Sequence, residues 1–401
     1  MALMPVEEAR ARILAGVKPL AAERVGLDAA LGRVLAKPVR ATRDQPPFAA
    51  SAMDGFAVRA EDVATVPATL DIIGTSAAGQ GFRRQLRTGQ AVRIFTGAPL
   101  PPGADAVVIQ ENTVRPDADH VTIHAPARPA QNVRDRGLDF RHGEDLLPAA
   151  IRLNARDIGL ASAGNAAAIA VRRRPVVAIF ATGDELVLPG QRPRPDQIVS
   201  SNGKALAALV RQVGGEVMDL GIVPDNLRAT VRAVRRAAPA HVLVTTGGAS
   251  VGDHDFVQEA LLSAGVKIDF WKIAMRPGKP FMYGRKSGQH VLGLPGNPVS
   301  ALVCARLFLK PLLDTLLGLP TGDDHVMARL GSPMKANDER QDYVRARLDV
   351  GSDGSRVATP YAKQDSSMQR TFRNADCLIV RPPRAPAADA GALVPVLLID
   401  F

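Results

Sequence analysis

The chain reads as a multidomain protein of the α/β plus β class, and three observations lead there. Between residues 176 and 316, apolar runs of strand length alternate with amphipathic runs of helix length, as in a parallel sheet covered by helices on both faces. Between 50 and 140, short apolar runs are split by Gly and Pro, which suits β structure. From about residue 320 alternating runs return, as in a small separate β unit. With 401 residues the chain exceeds one ordinary core, so two to four domains are expected.

The elements follow in order. Residues 5–40 are expected to be helical, with Leu14, Val17 and Leu20 at helix spacing and Gly32 as an interruption. Pro46-Pro47 marks a linker over 42–48. Strands are expected at 55–58, 91–95, 106–109 and 120–123, and Ala-rich helix-like sequence at 150–170. Strand 176–180 then leads to helix 203–213, stopped by Gly214-Gly215, followed by strand 217–222 and helix 227–237. Strand 241–245, helix 256–264, strand 266–273, strand 291–294 and helix 299–316 complete the alternation. The tail carries alternating runs at 343–350, 377–380 and 393–399.

Composition narrows the ligand. The formal charge is +10, and the basic residues are scattered rather than blocked. That suits a small anionic substrate better than nucleic acid, and aromatics at 4% argue against base-stacking platforms. Cys304 and Cys377 form neither a disulfide framework nor a four-ligand zinc site; buried free thiols of a reducing compartment are the simplest reading. No segment has the apolar length of a signal peptide core or a membrane span, so a cytoplasmic protein without membrane partners is expected.

In parallel sheets ligands bind beyond the carboxyl ends of strands, and the Gly-rich motifs fall there. Leu294-Pro295-Gly296-Asn297-Pro298 reads as a strand end, a tight turn and a helix start, with Asn297 at the N-cap and Pro298 at the first helical position. Such a turn aims backbone N–H groups at an anion. Gly247-Gly248-Ala249-Ser250-Val251-Gly252 is either a turn needing positive φ or an anion nest. Asp253 and Asp255 close that loop, and carboxylates beside an anion nest suggest Mg²⁺ bridging to phosphate. Asp184 and Glu185 are a second acidic pair or an exposed turn; Asp225 and Asn226 precede a helix that Asn226 caps. Arg276 and Lys279 flank Pro277-Gly278, two cations on a stiff turn that suits an oxyanion. Lys204 adds to them or is a surface lysine.

The ordered set resembles the MoeA family of molybdopterin molybdenumtransferases, which includes the E domain of gephyrin. It is carried by Ser51-Ala52-Met53-Asp54-Gly55, Arg93-Ile94-Phe95-Thr96-Gly97-Ala98, Thr182-Gly183-Asp184-Glu185-Leu186, the Gly247–Asp253 loop, Pro277-Gly278-Lys279-Pro280 and Leu294–Pro298. The resemblance implies four domains: a split helical domain (1–45 and 141–174), an inserted β domain (46–140), an α/β molybdopterin-binding domain (175–320) and a C-terminal β domain (321–401). It implies a homodimer whose site joins the α/β domain of one subunit to β-domain loops of the other. Transient contact with other cofactor-biosynthesis proteins is also implied. The implied reaction inserts molybdate into adenylylated molybdopterin with Mg²⁺ and releases AMP. By motif match, Asp54, Thr96, Asp139, Glu185, Asp225, Asp255 and Lys279 are catalytic, with Glu185, Asp225 and Asp255 holding metal. Gly247, Gly248, Ser250, Gly252, Arg276, Pro295, Asn297, Pro298 and Ser366 bind the cofactor substrate. Arg276 stands where lysine is common, and Leu138 where glutamate often precedes the matching aspartate. Three alternatives are weighed beside this reading: a tungstate-inserting paralogue, a molybdopterin adenylyltransferase, and a partner-binding scaffold. The two β domains disfavour the adenylyltransferase, and the intact charged set disfavours the scaffold.

Overall fold

The computed structural model describes residues 3–247, 256–322, 324–399 and 401. The helical expectation for 5–40 holds only over α1 (Val6–Leu14), whose Val6, Ala9 and Ile13 form its buried stripe. Gly16 at φ +69 and Pro19 end it, and Ala22–Gly26 is extended.

The chain forms two compact units. One comprises Arg24–Leu31 and Leu35–Val171. Its main strands are β1 (Gly55–Val58), β2 (Ala68–Ser76), β3 (Gln90–Ile94), β4 (Ala106–Ile109), β5 (Thr113–Val114) and β6 (His120–Ile123). Among the described residues they form one sheet in the order β4-β1-β3-β2-β6-β5. Alternate residues feed opposite faces: Phe56, Ala91 and Val108 pack in one core, Ala57, Val92 and Val107 in another. Gly55 lies against the Val108 carbonyl so closely that a Cβ would collide with it. Within 150–170 only α2 (Ala155–Ala163) is helical, opened by a capping box between Asn154 and Asp157.

The other unit runs up to Glu23, through Gly32–Val34, and from Arg172 to Phe401. It holds β7 (Val176–Thr182), α3 (Asn202–Gln212), β8 (Glu216–Val223), α4 (Leu227–Arg236), β9 (Val242–Thr246), α5 (Phe256–Ser263), β10 (Lys267–Trp271), β11 (Met275–Arg276), β12 (Met282–Lys286) and β13 (Gln289–Leu294). The sheet order is β8-β7-β9-β13-β12-β10. The first four strands are parallel, as expected. β12 runs antiparallel to both of its neighbours, β13 and β10, so the sheet is mixed. The turn joining β12 to β13 is Ser287-Gly288, both at positive φ, which matches the right-handed twist of a hairpin. Leu206 and Val210 of α3 share one core with α1 and with Val177 and Val244, while Ala233 of α4 and Leu261 of α5 pack on the opposite face with Ala178 and Leu243.

The helix expected at 299–316 is α6 (Pro298–Cys304), a π-turn over Ala305–Leu309, and α7 (Lys310–Leu316). The wider turn precedes Pro311, which brings no N–H to the ladder. The tail contains β14 (His325–Leu330), β15 (Gln341–Val350), β16 (Arg356–Pro360), α8 (Gln369–Arg373), β17 (Cys377–Arg381) and β18 (Leu393–Leu398). Their order is β11-β15-β16-β14-β18-β17, and β17 pairs back onto β15, closing a barrel. Cys304 and Cys377 are free and buried, and burial pushes the Cys377 thiol up to about 12. No helix among the described residues is long and apolar enough to cross a membrane.

Candidate active site

A cavity of about 630 Å³ opens at the carboxyl ends of β7, β9 and β13. Thr182, Thr246 and Gly247 end two strands there; Pro295, Gly296, Asn297 and Pro298 form the turn into α6. The start of α3 contributes Ser200, Ser201 and Asn202, while Ser367 and Gln369 come from the segment leading into α8. Glu185, Leu186, Ile198 and Val199 form the rest of the wall.

The glycines are needed where strand ends converge. Gly247 has φ +84, and a Cβ on it would collide with the Thr182 carbonyl. Gly296 sits against the Gly247 backbone. The Thr182 hydroxyl is buried beside the cavity with no partner among the described residues, so the floor keeps an unused polar group. Asn202 ties two loops together by donating from Nδ2 to the Gly296 carbonyl at 2.7 Å.

Pro298 occupies the first helical position, as expected. Asn297 stands at the N-cap, but its side chain does not cap the helix: Nδ2 donates to Ser366 Oγ at 2.8 Å. The Val299 N–H donates to the Ser366 carbonyl at 3.0 Å, so one N–H of the first turn is already satisfied. Ser366 thus lies on the helix start. Its loop is held by Arg345, which is 1% exposed and donates to Gln364 Oε1 at 2.9 Å and to the Asp365 carbonyl at 2.8 Å. Gln369 donates to Ser201 Oγ.

The acidic residues gather at neighbouring strand ends. Thr182 and Val223 are register partners in β7 and β8, so the turns after them adjoin. The Asp225 N–H donates to Asp184 Oδ1 at 3.1 Å, and Asn226 caps α4 by accepting from Ala229 N at 2.9 Å. Gly248, Ser250, Gly252 and Asp255 lie outside the described residues. No cluster of three His, Cys, Asp or Glu suited to a metal occurs among the described residues. Carboxylates at adjoining strand ends, with oxygen donors alone, fit Mg²⁺ completed by substrate phosphate and water rather than an all-protein cage.

The cations divide. The Arg276 guanidinium is paired with Asp342 and lies 3.2 Å from Asp338, which ties β11 to the barrel strand β15 and raises its pKa. Lys204 pairs with Asp219 at 2.9 Å, as a surface lysine would. Lys279 is exposed, and its carbonyl accepts from Ile273 N at 3.1 Å and Phe281 N at 3.0 Å, which fixes the turn. Its neighbour Pro280 lines the cavity.

In the other unit, antiparallel β1 and β3 bring two motifs together. Asp54 Oδ1 accepts from Thr96 N at 2.7 Å and from Thr96 Oγ1 at 2.8 Å. These bonds, and then Arg93, hold the exposed Asp54 carboxyl below its usual range. Asp139 is exposed, with its N–H donating to the Gln45 carbonyl at 2.9 Å.

Three family descriptions match in chain order. Residues 4–164 match the MoeA N-terminal region (domains I and II), 178–315 a probable molybdopterin binding domain, and 327–399 the MoeA C-terminal region (domain IV). The chain belongs to the MoeA family. Among MoeA relatives, the molybdopterin molybdenumtransferase of a Nostoc species is 42% identical, over 81% of this chain and 77% of its own. That of Haemophilus influenzae is 32% identical over 98% of both chains. A crystal structure of a molybdopterin biosynthesis MoeA protein from Pyrococcus horikosii superposes with a TM-score of 0.87 at 31% identity, covering 100% of both chains.

Beside the predicted residues, the cavity uses Thr182, Ser201, Asn202, Ser367 and Gln369, and Arg345 behind them, none of which the sequence reading singled out as site residues. Thr182 opens the Thr182–Leu186 motif, and Ser201 and Asn202 start the helix that carries Lys204. Arg345 carried no signal, since an arginine in an alternating strand reads as solvent-facing.

Proposed function

We propose that this protein is a molybdopterin molybdenumtransferase that inserts molybdate into adenylylated molybdopterin and releases AMP. The observation that carries the reading is the strand-end cavity, with its glycine floor, a Thr182 hydroxyl that has no partner among the described residues and its acidic wall at Glu185. Backbone approach at Gly247 and Gly296, with Pro295, Asn297 and Pro298 opening α6, suits a phosphate-bearing substrate. Glu185, Asp225 and Asp255 would hold Mg²⁺, which neutralises phosphate charge when bound.

Cleaving a phosphoanhydride needs charge neutralisation and positioning above all. Lys279 would draw molybdate toward the substrate's own dithiolene sulfurs. Arg276 serves the same turn by fastening it to Asp338 and Asp342. Ser366 orients Asn297 at the helix start. Gly248, Ser250 and Gly252 belong, by motif, to the set that binds the phosphate-bearing substrate. The protein acts as a homodimer in the cytoplasm, and Asp54, Thr96 and Asp139 of one copy complete the site of the other.

Single-turnover release of AMP from adenylylated molybdopterin with Mg²⁺, with and without molybdate, tests the reading. Molybdate-dependent release is expected. Tight binding without release under either condition would make the protein a carrier or scaffold, and preferential release with tungstate would reassign the cargo.

A further inference from the structure

Helix α4 carries Arg228, Arg232, Arg235 and Arg236 at its exposed positions, opposite a buried face of Ala229, Thr230, Ala233 and Val234. At 100° per residue the four lie within an arc of about 100°, over an axial length of about 12 Å. Among the described residues none of them forms an ion pair, whereas Lys204 and Arg276 of the same unit are each held by an aspartate. Among the described residues, four guanidiniums without a carboxylate partner on a ten-residue helix are a local concentration of charge.

The position of the stripe matters as much as its charge. α4 begins immediately after its cap Asn226, and Asp225 precedes that cap at the end of β8. Arg228 is therefore three residues from Asp225, whose turn is bonded to the Asp184-Glu185 turn at the cavity wall, and the others recede from it along one line. Carboxylates at the mouth repel an anionic substrate on approach; a flanking row of fixed cations offsets that repulsion and raises the local concentration of anions. The nearest of the row lie within a Debye length of the helix start at physiological salt, about 8 Å.

We propose that the arginine stripe of α4 is an electrostatic capture surface that steers the phosphate-bearing substrate into the strand-end cavity. The inference rests on the anionic substrate class given under Proposed function. It concerns the rate of encounter, not the chemical step.

The test is the association rate of adenylylated molybdopterin, read by pterin fluorescence in stopped flow without molybdate. Wild type is compared with a quadruple variant (Arg228→Gln, Arg232→Gln, Arg235→Gln, Arg236→Gln) across ionic strength. At low salt the variant is expected to associate roughly tenfold more slowly, with the two rates converging at high salt. AMP release at saturating substrate stays unchanged, and the matching Arg→Lys variant retains the wild-type rate. An unchanged low-salt rate in the Gln variant would overturn the proposal, as would a loss that persists undiminished at high salt. Unchanged substrate capture with lost binding to poly-glutamate would assign the stripe to an acidic protein partner and overturn it too. A wild-type protein that shows this salt dependence but releases no AMP would sink the insertion reading and leave the steering standing.

Discussion

Removing one charge from the turns beside the cavity is the most direct challenge to the site. Lys279→Ala and Asp225→Ala are expected to keep the fold, since Lys279 is exposed and Asp225 lies in a turn. Each should slow molybdate-dependent AMP release about a hundredfold, the scale of losing one preorganised electrostatic group. Wild-type rates in both variants would place the chemistry elsewhere. Gly247→Ala tests the floor. Its φ of +84 and the adjacent Thr182 carbonyl leave no room for a Cβ, so a loss of about 1–3 kcal/mol is expected in urea unfolding, together with a raised KM. An alanine variant with wild-type stability and affinity would mean that the strand ends can separate freely.

At the scale of elements, β15 links the barrel to the site at two points. Asp342 takes Arg276, and Arg345 holds the Gln364–Asp365 loop that delivers Ser366. Arg345→Met should strip that loop of charge-assisted bonds, destabilise by about 2 kcal/mol or more, and lower kcat more than it raises KM. A stability loss with unchanged kinetic constants would make Arg345 purely structural. The β12–β13 hairpin carries a second dependency. Arg285 Nε donates to the Tyr283 oxygen, Tyr283 O–H donates to the Ile13 carbonyl at 3.3 Å, and the same oxygen is hydrogen-bonded to His290 Nδ1 at 2.9 Å. Burial, and then Arg285, push the His290 pKa down to about 4. The neutral form's contribution is fully present above the ordinary value near 6.5 and is lost as pH falls toward about 4, because the unfolded chain takes up the proton first. The loss should reach about 2–3 kcal/mol in urea unfolding between about pH 7 and about pH 4. His290→Gln should flatten that slope; an equal slope in the variant would remove His290 as its source.

At the scale of the whole molecule, the proposed homodimer makes a sharp prediction. Asp54→Ala and Asp225→Ala chains, each inactive alone, are mixed under conditions of subunit exchange. If one copy's Asp54 serves the other copy's cavity, half of the dimers are mixed and each holds one intact site. About a quarter of wild-type AMP release should return. Recovery of none would show that each site draws both aspartates from a single chain, or that the protein does not exchange as a dimer.

The sequence by itself determined the features with local causes. Strand and helix runs, the glycine stops, Pro298 at the first helical position and the Asn226 cap all follow from backbone preferences within a few residues. The motif order was enough for the family. Local preference misled over 5–40, where apolar spacing alone suggested helix although Gly16 and Pro19 interrupt it. Tertiary structure alone decided where polar side chains spend their bonds. Asn297 reaches Ser366, 69 residues away, and Arg276 reaches Asp342, 66 residues away. Asp54 and Thr96 meet only because β1 and β3 pair antiparallel. Such partners are set by which strands and loops come to lie side by side, and no residue type or spacing along the chain encodes that.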